Sequence, residues 1–161
     1  MLPKLPPRVA QYLQQHHVMT LASQGAEGPW AAAVFYASEG PELFFLSAPT
    51  TRHCRHLAQD PRCAATIQGD CSDWTQVQGI QLEGQVEQLQ GEGQARAQRL
   101  YGQKFPFLER AGAIPVAIAA ALARVRWYRL EPRRLYFVDN SQGFGHRDEI
   151  ELGRGAALPP A

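Results

Sequence analysis

The fold is indicated most strongly by one stretch, Ile80-Gln81-Leu82-Glu83-Gly84-Gln85-Val86-Glu87, in which apolar and polar positions alternate without interruption. Successive side chains of a β-strand point to opposite faces, so this alternation predicts a strand with one face on a core and one in solvent. Half-buried strands of this kind are typical of antiparallel sheets. Val77 has the opposite parity and Gly79 lies between the two phases, which predicts a β-bulge at Gly79.

Further strand patterns lie on both sides of this stretch and are separated by turn residues. They cover residues 18–22, 29–37, 43–46, 62–68, 125–130 and 135–138, and we interpret the whole as about six strands. The segment 29–37 is apolar on both faces, so we expect it to be buried on both sides. Helical patterns precede His16 and cover residues 51–59, 91–104 and 116–123, the last rich in alanine and expected to pack closely.

These elements predict a β-rich α+β fold, a small antiparallel barrel whose closure removes exposed strand edges. The length of 161 residues fits one domain, and 45% hydrophobic residues against 19% charged residues are enough to build a core. We expect a single domain over residues 1–161, with its core at about residues 18–152.

Charge and hydropathy argue against two kinds of partner. Sixteen Lys and Arg nearly balance fifteen Asp and Glu, for a net charge of +1, whereas a nucleic-acid binder needs a basic face. No apolar run reaches the ~18 residues needed to span a bilayer, and the N-terminal residues lack the apolar segment of a signal peptide. We therefore predict a cytoplasmic protein without a nucleic-acid or membrane partner.

The cysteines and histidines leave a metal site as an alternative. The three cysteines, Cys54, Cys63 and Cys71, are odd in number and form no Cys-x-x-Cys pair. Together with Cys54 and Cys63, His53 and His56 present ligand types that bind zinc, but zinc sites favour tighter, paired spacings. The prediction is therefore that the chain holds no metal, and that these cysteines are ordinary buried or half-buried residues.

One loop carries residues suited to an anion. The segment Ser47-Ala48-Pro49-Thr50-Thr51-Arg52-His53 follows an apolar strand and opens a predicted helix. Hydroxyl groups, free amides at the helix start, an arginine and a histidine are together able to bind a phosphate dianion. The same residues also fit a plain helix cap, with Thr50 or Thr51 as N-cap and Arg52 in solvent. Nucleotide-binding, hydrolase and metalloprotease motifs are absent from the sequence.

The order of these motifs resembles the FMN-binding split barrel of the pyridoxamine 5′-phosphate oxidase superfamily. The run Leu43-Phe44-Phe45-Leu46-Ser47, then Thr51-Arg52-His53, then Asp60-Pro61-Arg62, precedes a strand similar to that family's. The ending Phe137-Val138-Asp139-Asn140, followed by Gly143-Phe144-Gly145-His146-Arg147, is similar to the YhbP-like branch. The resemblance implies a six-stranded antiparallel split β-barrel with flanking helices, assembled as a homodimer with two FMN sites at the subunit interface.

The resemblance also implies which residues hold the flavin phosphate. They are Thr51, Arg52 and His53, with Ser47 and Thr50 nearby.

For the isoalloxazine ring, the resemblance implies contact with the strand that contains Val34, Phe35 and Tyr36. Gln78 and Trp127 match positions that approach the flavin in the family, often from the partner chain. Apolar strand faces and backbone amides suit such a ring.

Three departures from the family's pattern narrow the expected function. His53 stands where the family usually has lysine, Gly79 where true pyridoxamine phosphate oxidases carry glutamine, and their C-terminal substrate pattern is not reproduced. We therefore expect an FMN-dependent oxidoreductase acting on a small molecule other than vitamin B6, with no catalytic residue named. The alternatives are a flavin- or ligand-binding protein without turnover, and a haem or metal handler that uses His53, Cys54 and His56.

Overall fold

A computed structural model describes residues 3–106 and 115–152 of the chain. Its largest element is one antiparallel sheet with eight strands: β1 (Val18–Gly25), β2 (Gly28–Phe35), β3 (Ala37–Glu39), β4 (Glu42–Ser47), β5 (Arg62–Gln68), β6 (Gln78–Gln88), β7 (Arg126–Asp139) and β8 (Arg147–Glu149). The helices within the described residues are α1 (Pro7–Gln15), α2 (Arg52–Gln59), α3 (Gly91–Lys104) and α4 (Val116–Leu122).

The sheet is curled into a half-barrel. Its strands follow the order β2-β1-β5-β6-β7-β4-β3, and β8 pairs with β7. The two ends of this order, β2 and β3, are consecutive in the chain and are separated by Tyr36 alone. Because one residue joins the two edges, the sheet must bend until they lie side by side. The predicted antiparallel split-barrel fold with flanking helices is confirmed.

The sheet contains more strands than the sequence patterns predicted. β3 and β8 have three residues each, which is too short for a pattern of alternating hydrophobicity. Conversely, the two segments 125–130 and 135–138 form one continuous strand, β7. The predicted helices at 51–59 and 91–104 are present as α2 and α3.

The β-bulge lies elsewhere than predicted. Gly79 pairs regularly with Gln68 and Val138, so the bulge expected there is wrong. The register shifts between Glu83 and Gly84, which pairs with Pro132 on β7. A Cβ atom on Gly84 would lie 2.2 Å from a backbone oxygen of β7, so only glycine fits. Val77 does not continue the alternation of β6, because the strand begins at Gln78.

The core fills the concave side of the half-barrel. The alternation that indicated β6 is confirmed, because Ile80, Leu82 and Val86 are buried and Gln81 and Glu83 are exposed. The other fully buried large side chains come from α1 and the remaining strands, and include Leu13, Met19, Leu21, Leu43, Phe45, Ile67, Leu130 and Leu135. Burial of this continuous apolar set drives the sheet to curl.

Two apolar segments are exposed that were expected to be buried. Trp30 and Phe35, which lie on opposite faces of the edge strand β2, are 42% and 52% exposed, so neither face of this strand is fully covered within the described residues. Val116 on α4 is 86% exposed, so the close packing expected for this helix is wrong. None of the helices in the described part of the chain is long and apolar enough to cross a membrane.

Helix α1 is tied to the end of α3 by a lysine. Lys104 donates hydrogen bonds to the carbonyl oxygens of Leu13 (2.9 Å) and His16 (2.6 Å), and its ammonium lies 4.0 Å from the ring centre of Tyr36. Burial lowers the pKa of Lys104 to about 8. The ammonium therefore satisfies carbonyl groups that the end of a helix leaves without partners.

Candidate functional site

The first turn of α2 is open to a ligand. Thr51 is its N-cap residue, but the Thr51 hydroxyl donates to the carbonyl oxygen of Ala48 at 2.9 Å and makes no capping hydrogen bond. The first turn contains no acidic residue. Amide groups at a helix start lack partners within the helix and carry a partial positive charge, so this end of α2 favours an anion.

Three basic side chains of α2 converge on one carboxylate. Positions 52, 55 and 56 lie on the same face of a helix because they are three and four residues apart. Arg52 Nε, Arg55 Nη2 and His56 Nε2 lie 3.6, 3.4 and 3.8 Å from Glu27 Oε2. Glu27 belongs to the turn between β1 and β2, so this turn lies against α2.

Arg52 links α2 to the exposed strand β2. Its Nη2 donates to the carbonyl oxygen of Glu27 at 2.8 Å, and its guanidinium lies 4.6 Å from the ring centre of Trp30. Arg52 Nε is buried and forms no hydrogen bond within the described residues, since Glu27 Oε2 is too far away at 3.6 Å. One donor of this arginine is therefore available to a further acceptor.

His56 is buried beneath the same turn. Its Nδ1 lies 3.2 Å from Ser23 Oγ, whereas Nε2 is buried and has no hydrogen-bond partner within the described residues. The imidazole occupies the space beside Gly25, where a Cβ atom would lie 2.3 Å from the ring. A buried polar atom without a partner is uncommon, and this one faces Glu27.

His53 points into the protein, away from the basic face of α2 formed by Arg52, Arg55 and His56. Its Nε2 lies 2.8 Å from Ser47 Oγ and 3.2 Å from Thr51 Oγ1. Burial opposes ionisation of the neighbouring Cys54 thiol, but hydrogen bonds from His53, Thr51, Tyr128 and Ser47 outweigh it and lower its pKa to about 7. Cys54 and Tyr128 also line a cavity of about 200 Å³.

The residues predicted to bind phosphate are close together, but only some face the same surface. Arg52 lies at the open start of α2, and Thr50 is exposed, its carbonyl oxygen accepting a hydrogen bond from Arg55. Ser47 and His53 are buried and bonded to each other. His53 therefore faces Ser47, away from the surface that carries Arg52 and Arg55, and its contact with a phosphate stays a prediction.

The residues predicted to contact the ring diverge. Phe35 is exposed and its ring packs edge-on against Phe105, whereas Val34 is half-buried against the core. Tyr36 is fully buried, and its hydroxyl donates to the carbonyl oxygen of Leu13 at 2.9 Å. The side chain of Tyr36 is therefore part of the core, and contact of the flavin ring with this residue stays a prediction.

Gln78 and Trp127 lie at opposite ends of the β6–β7 pair. Gln78 lies at one end, where it pairs with Asp139 and donates a hydrogen bond to it. Trp127 lies at the other end, next to Tyr128, which pairs with Gln88. Ten residues of strand span roughly 33 Å. One chain therefore cannot place both side chains against the same ring.

Sequence reasoning missed Glu27, Trp30 and Arg55, and it considered His56 only as a haem or metal ligand. The spacing of Arg52, Arg55 and His56 was a usable signal, because it places them on one helical face and turns His53 elsewhere. The contact with Glu27 and Trp30 depends on the packing of α2 against β1 and β2, which the local sequence does not specify.

The three side chains considered for haem or metal do not converge. His53 faces Ser47, His56 faces Ser23, and Cys54 is buried next to Tyr128. Within the part of the chain that the structure describes, no group of three His, Cys, Asp or Glu side chains is arranged to hold a metal ion.

Comparison with known proteins identifies the family. A family model for pyridoxamine 5′-phosphate oxidase matches residues 5–139. The chain belongs to the pyridoxamine 5′-phosphate oxidase family. Within that family it is similar to a UPF0306 protein of Photorhabdus laumondii, 28% identical over 141 residues that cover 86% of this chain and 90% of the relative. The UPF0306 protein YhbP of Escherichia coli is 28% identical over 142 residues, 86% of this chain and 88% of the relative, which confirms the YhbP-like branch.

Solved structures share the split-barrel fold of the family. A heme-binding protein from Mycobacterium smegmatis has a TM-score of 0.68 at 24% identity, and the match covers 89% of this chain but only 58% of that protein. HutZ, the heme storage protein from Vibrio cholerae, has a TM-score of 0.65 at 16% identity, with 83% and 94% covered. ChuZ from Campylobacter jejuni has a TM-score of 0.70 at 14% identity, with 91% and 58% covered. At these identities the likeness shows the fold alone.

Proposed function

We propose that this chain binds FMN and acts as a flavin-dependent oxidoreductase on a small molecule. The observation that carries the proposal is the position of Arg52, which joins the open start of α2 to the exposed strand β2. A phosphate and a flat aromatic ring, joined by a short chain, need these two kinds of surface side by side. Membership of the pyridoxamine 5′-phosphate oxidase family, which often binds flavin, adds support.

The start of α2 fits the phosphate. Its first-turn amides and the guanidinium groups of Arg52 and Arg55 offer donors to the phosphate oxygens. The Nε atom of Arg52 is buried and has no hydrogen-bond partner in the described residues. A phosphate oxygen would provide the acceptor that this donor lacks. Thr50 and Thr51 would lie beside the phosphate.

Strand β2 fits the ring. Ala31, Ala33 and Phe35 are exposed on it, and an edge strand has backbone donors and acceptors free to meet the polar edge of a flavin. Small alanine side chains let a flat ring approach the backbone closely. When bound, FMN supplies the capacity to accept or pass on hydride and electrons. The chain would supply binding, orientation and exclusion of water.

A homodimer is part of this proposal. Gln78 and Trp127 are too far apart to meet one ring within a chain, so both can contribute only if each flavin lies between two protomers. The exposed apolar residues Trp30 and Phe35 would then be covered by the partner and the flavin.

The purified protein tests the proposal through its ligand. We expect a flavin absorption spectrum, and tighter binding of FMN than of FAD or the deazaflavin F420 in titrations. Arg52→Ala should weaken FMN binding about 10- to 100-fold, because one charge-assisted contact to phosphate is lost. Riboflavin, which lacks the phosphate, should bind both proteins equally well. Arg62→Ala is a matched control, because Arg62 is exposed and paired with Asp60 outside this site.

Other outcomes distinguish the alternatives. A haem spectrum in place of a flavin spectrum would contradict the proposal and favour haem handling. Bound FMN that neither NAD(P)H nor another donor reduces would leave a flavin-binding protein without turnover. Equal FMN affinity of Arg52→Ala and the wild-type chain would contradict the placement of the phosphate.

A further inference from the structure

The basic face of α2 has a negative group on it already. Glu27 Oε2 lies within 4 Å of nitrogen atoms of Arg52, Arg55 and His56. One carboxylate charge meets two guanidinium charges, so the cluster keeps an excess of positive charge. Glu27 itself is 60% exposed, and contacts of such a side chain across water contribute little to folding.

The β1–β2 turn determines where Glu27 lies. Gly25 pairs with Gly28, which leaves a turn of two residues, Ala26 and Glu27, over the start of α2. Gly28 has φ +93°, a conformation that glycine adopts without strain. The Glu27 carbonyl oxygen separately accepts a hydrogen bond from Arg52. Arg52 is therefore held in place by the backbone of the turn as well as by the carboxylate.

Glu27 leaves two buried donors of the cluster unsatisfied. Arg52 Nε and His56 Nε2 have no hydrogen-bond partner within the described residues, although both face its carboxylate. In the tautomer in which the Ser23 hydroxyl donates to Nδ1, Nε2 of His56 carries a hydrogen atom and can donate it. A phosphate group has more acceptor oxygens and more charge than a carboxylate, and suits this set of donors better.

We propose that the Glu27 carboxylate is an internal competitor for the phosphate of the ligand. It occupies the anion site of Arg52, Arg55 and His56 in the free protein, and phosphate binding displaces it from these side chains. This inference rests on the proposed function and adds a residue that tunes affinity. Displacement needs only a rotation of the exposed Glu27 side chain, because the backbone contact to Arg52 stays in place.

Glu27→Gln tests the competition. The variant keeps the size of the side chain and the carbonyl contact but removes the charge that repels a phosphate dianion. We expect FMN to bind Glu27→Gln about tenfold more tightly than the wild-type chain at low salt, and riboflavin to bind both equally. Glu83→Gln is the matched control: Glu83 is 59% exposed with one ion pair at 3.6 Å, to Arg134, and its loss should leave both affinities unchanged.

Equal or weaker FMN binding by a folded Glu27→Gln protein would overturn the competition. Glu27→Ala should give the same gain, and a circular dichroism spectrum checks that each variant folds. If no variant binds any flavin, the proposed function fails, and calorimetric titration with inorganic phosphate decides the inference by itself. Tighter phosphate binding by Glu27→Gln than by the wild type and Glu83→Gln supports it. Equal affinity, or no phosphate binding by either protein, overturns it.

Discussion

Cys54 is surrounded by groups that stabilise a thiolate. It lies in the first turn of α2, where the helix carries partial positive charge, and the polar side chains of His53, Thr51 and Tyr128 beside it lower its pKa. Cys63 has no such neighbours, and burial raises its pKa to about 12. Two buried cysteines of one chain therefore differ widely in their readiness to ionise.

Titration of the thiols checks this difference. In a Cys71→Ser background, which removes the exposed thiol, we expect thiolate absorbance to appear as the pH rises through about 7. The sign follows from the lowered pKa, because an acid is charged above its pKa and Cys54 therefore ionises below the usual range of a thiol. Cys54→Ser should abolish this transition and Cys63→Ser should keep it. A transition only above the usual range of a thiol would contradict the assignment.

The sequence predicted Arg52 and His53 together at the phosphate, whereas in the structure their side chains point in different directions. Adjacent residues of a helix point about 100° apart, so Arg52 and His53 cannot serve one surface anion equally well. The helical period alone groups Arg55 and His56, and not His53, with Arg52 on one face of α2. The contact of Glu27 with α2 could not be predicted from the local sequence, because it depends on the packing of a distant turn against the helix.

At the scale of elements, a buried carboxylate joins α3 to the sheet. Glu42 at the start of β4 is 4% exposed and accepts hydrogen bonds from Arg96 of α3 (2.8 Å) and Arg129 of β7 (2.6 Å). Arg96 also pairs with Glu39. A buried charge is tolerated when such partners neutralise it, and removal of one partner leaves the others poorly satisfied.

Glu42→Gln should therefore lower the free energy of unfolding by about 3 kcal/mol, the lower part of the range for a broken buried ion pair. The lower part applies because Arg96 and Arg129 are 29% and 25% exposed and regain some water. Glu87→Gln is the control, since exposed Glu87 contacts the same Arg129 at 3.0 Å and its loss should cost under about 1 kcal/mol. Urea unfolding of both variants measures the difference, and equal losses would show that burial of Glu42 does not matter.

The sequence predicted elements best where one periodic pattern decided them. The alternation of β6 and the bounds of α3 were both correct. The apolar side of α3 was predicted to carry Ala95, Leu100 and Tyr101. Tyr101 is buried as predicted, whereas Ala95 is exposed and Ala97 is buried instead. The bulge opposite Glu83 and Gly84 has its extra residue, Arg133, on β7, so no local pattern of β6 could indicate it.

At the scale of the molecule, apolar side chains on both faces of the edge strand β2 are left uncovered. Trp30 and Phe35 of β2 and Val116 of α4 are all exposed, and we propose that the apolar surface of β2 is covered by a second chain. The sequence pattern of β2, apolar on both faces, led to an expectation of burial on both sides. A second chain against β2 would reconcile the pattern with the edge position of the strand.

We expect light scattering to give twice the mass of one chain. Phe35→Glu should shift the molecule toward the monomer, because a charge would be buried in the proposed interface. Phe144→Glu is the control, since Phe144 is 83% exposed at a different place in the fold and its loss should leave the dimer intact. A wild-type chain that stays monomeric at high concentration would contradict the dimer and the shared flavin site.

The contacts of the Lys104 ammonium affect local unfolding of the molecule. It binds two carbonyl oxygens at the end of α1 from the last turn of α3, so fraying of either helix removes a terminal contact of the other. We therefore expect the two helices to belong to one cooperative unit in hydrogen exchange, although 75 residues, including α2, separate them in the chain. Strands β6 and β7, paired on both sides in the middle of the sheet, form the unit that opens last.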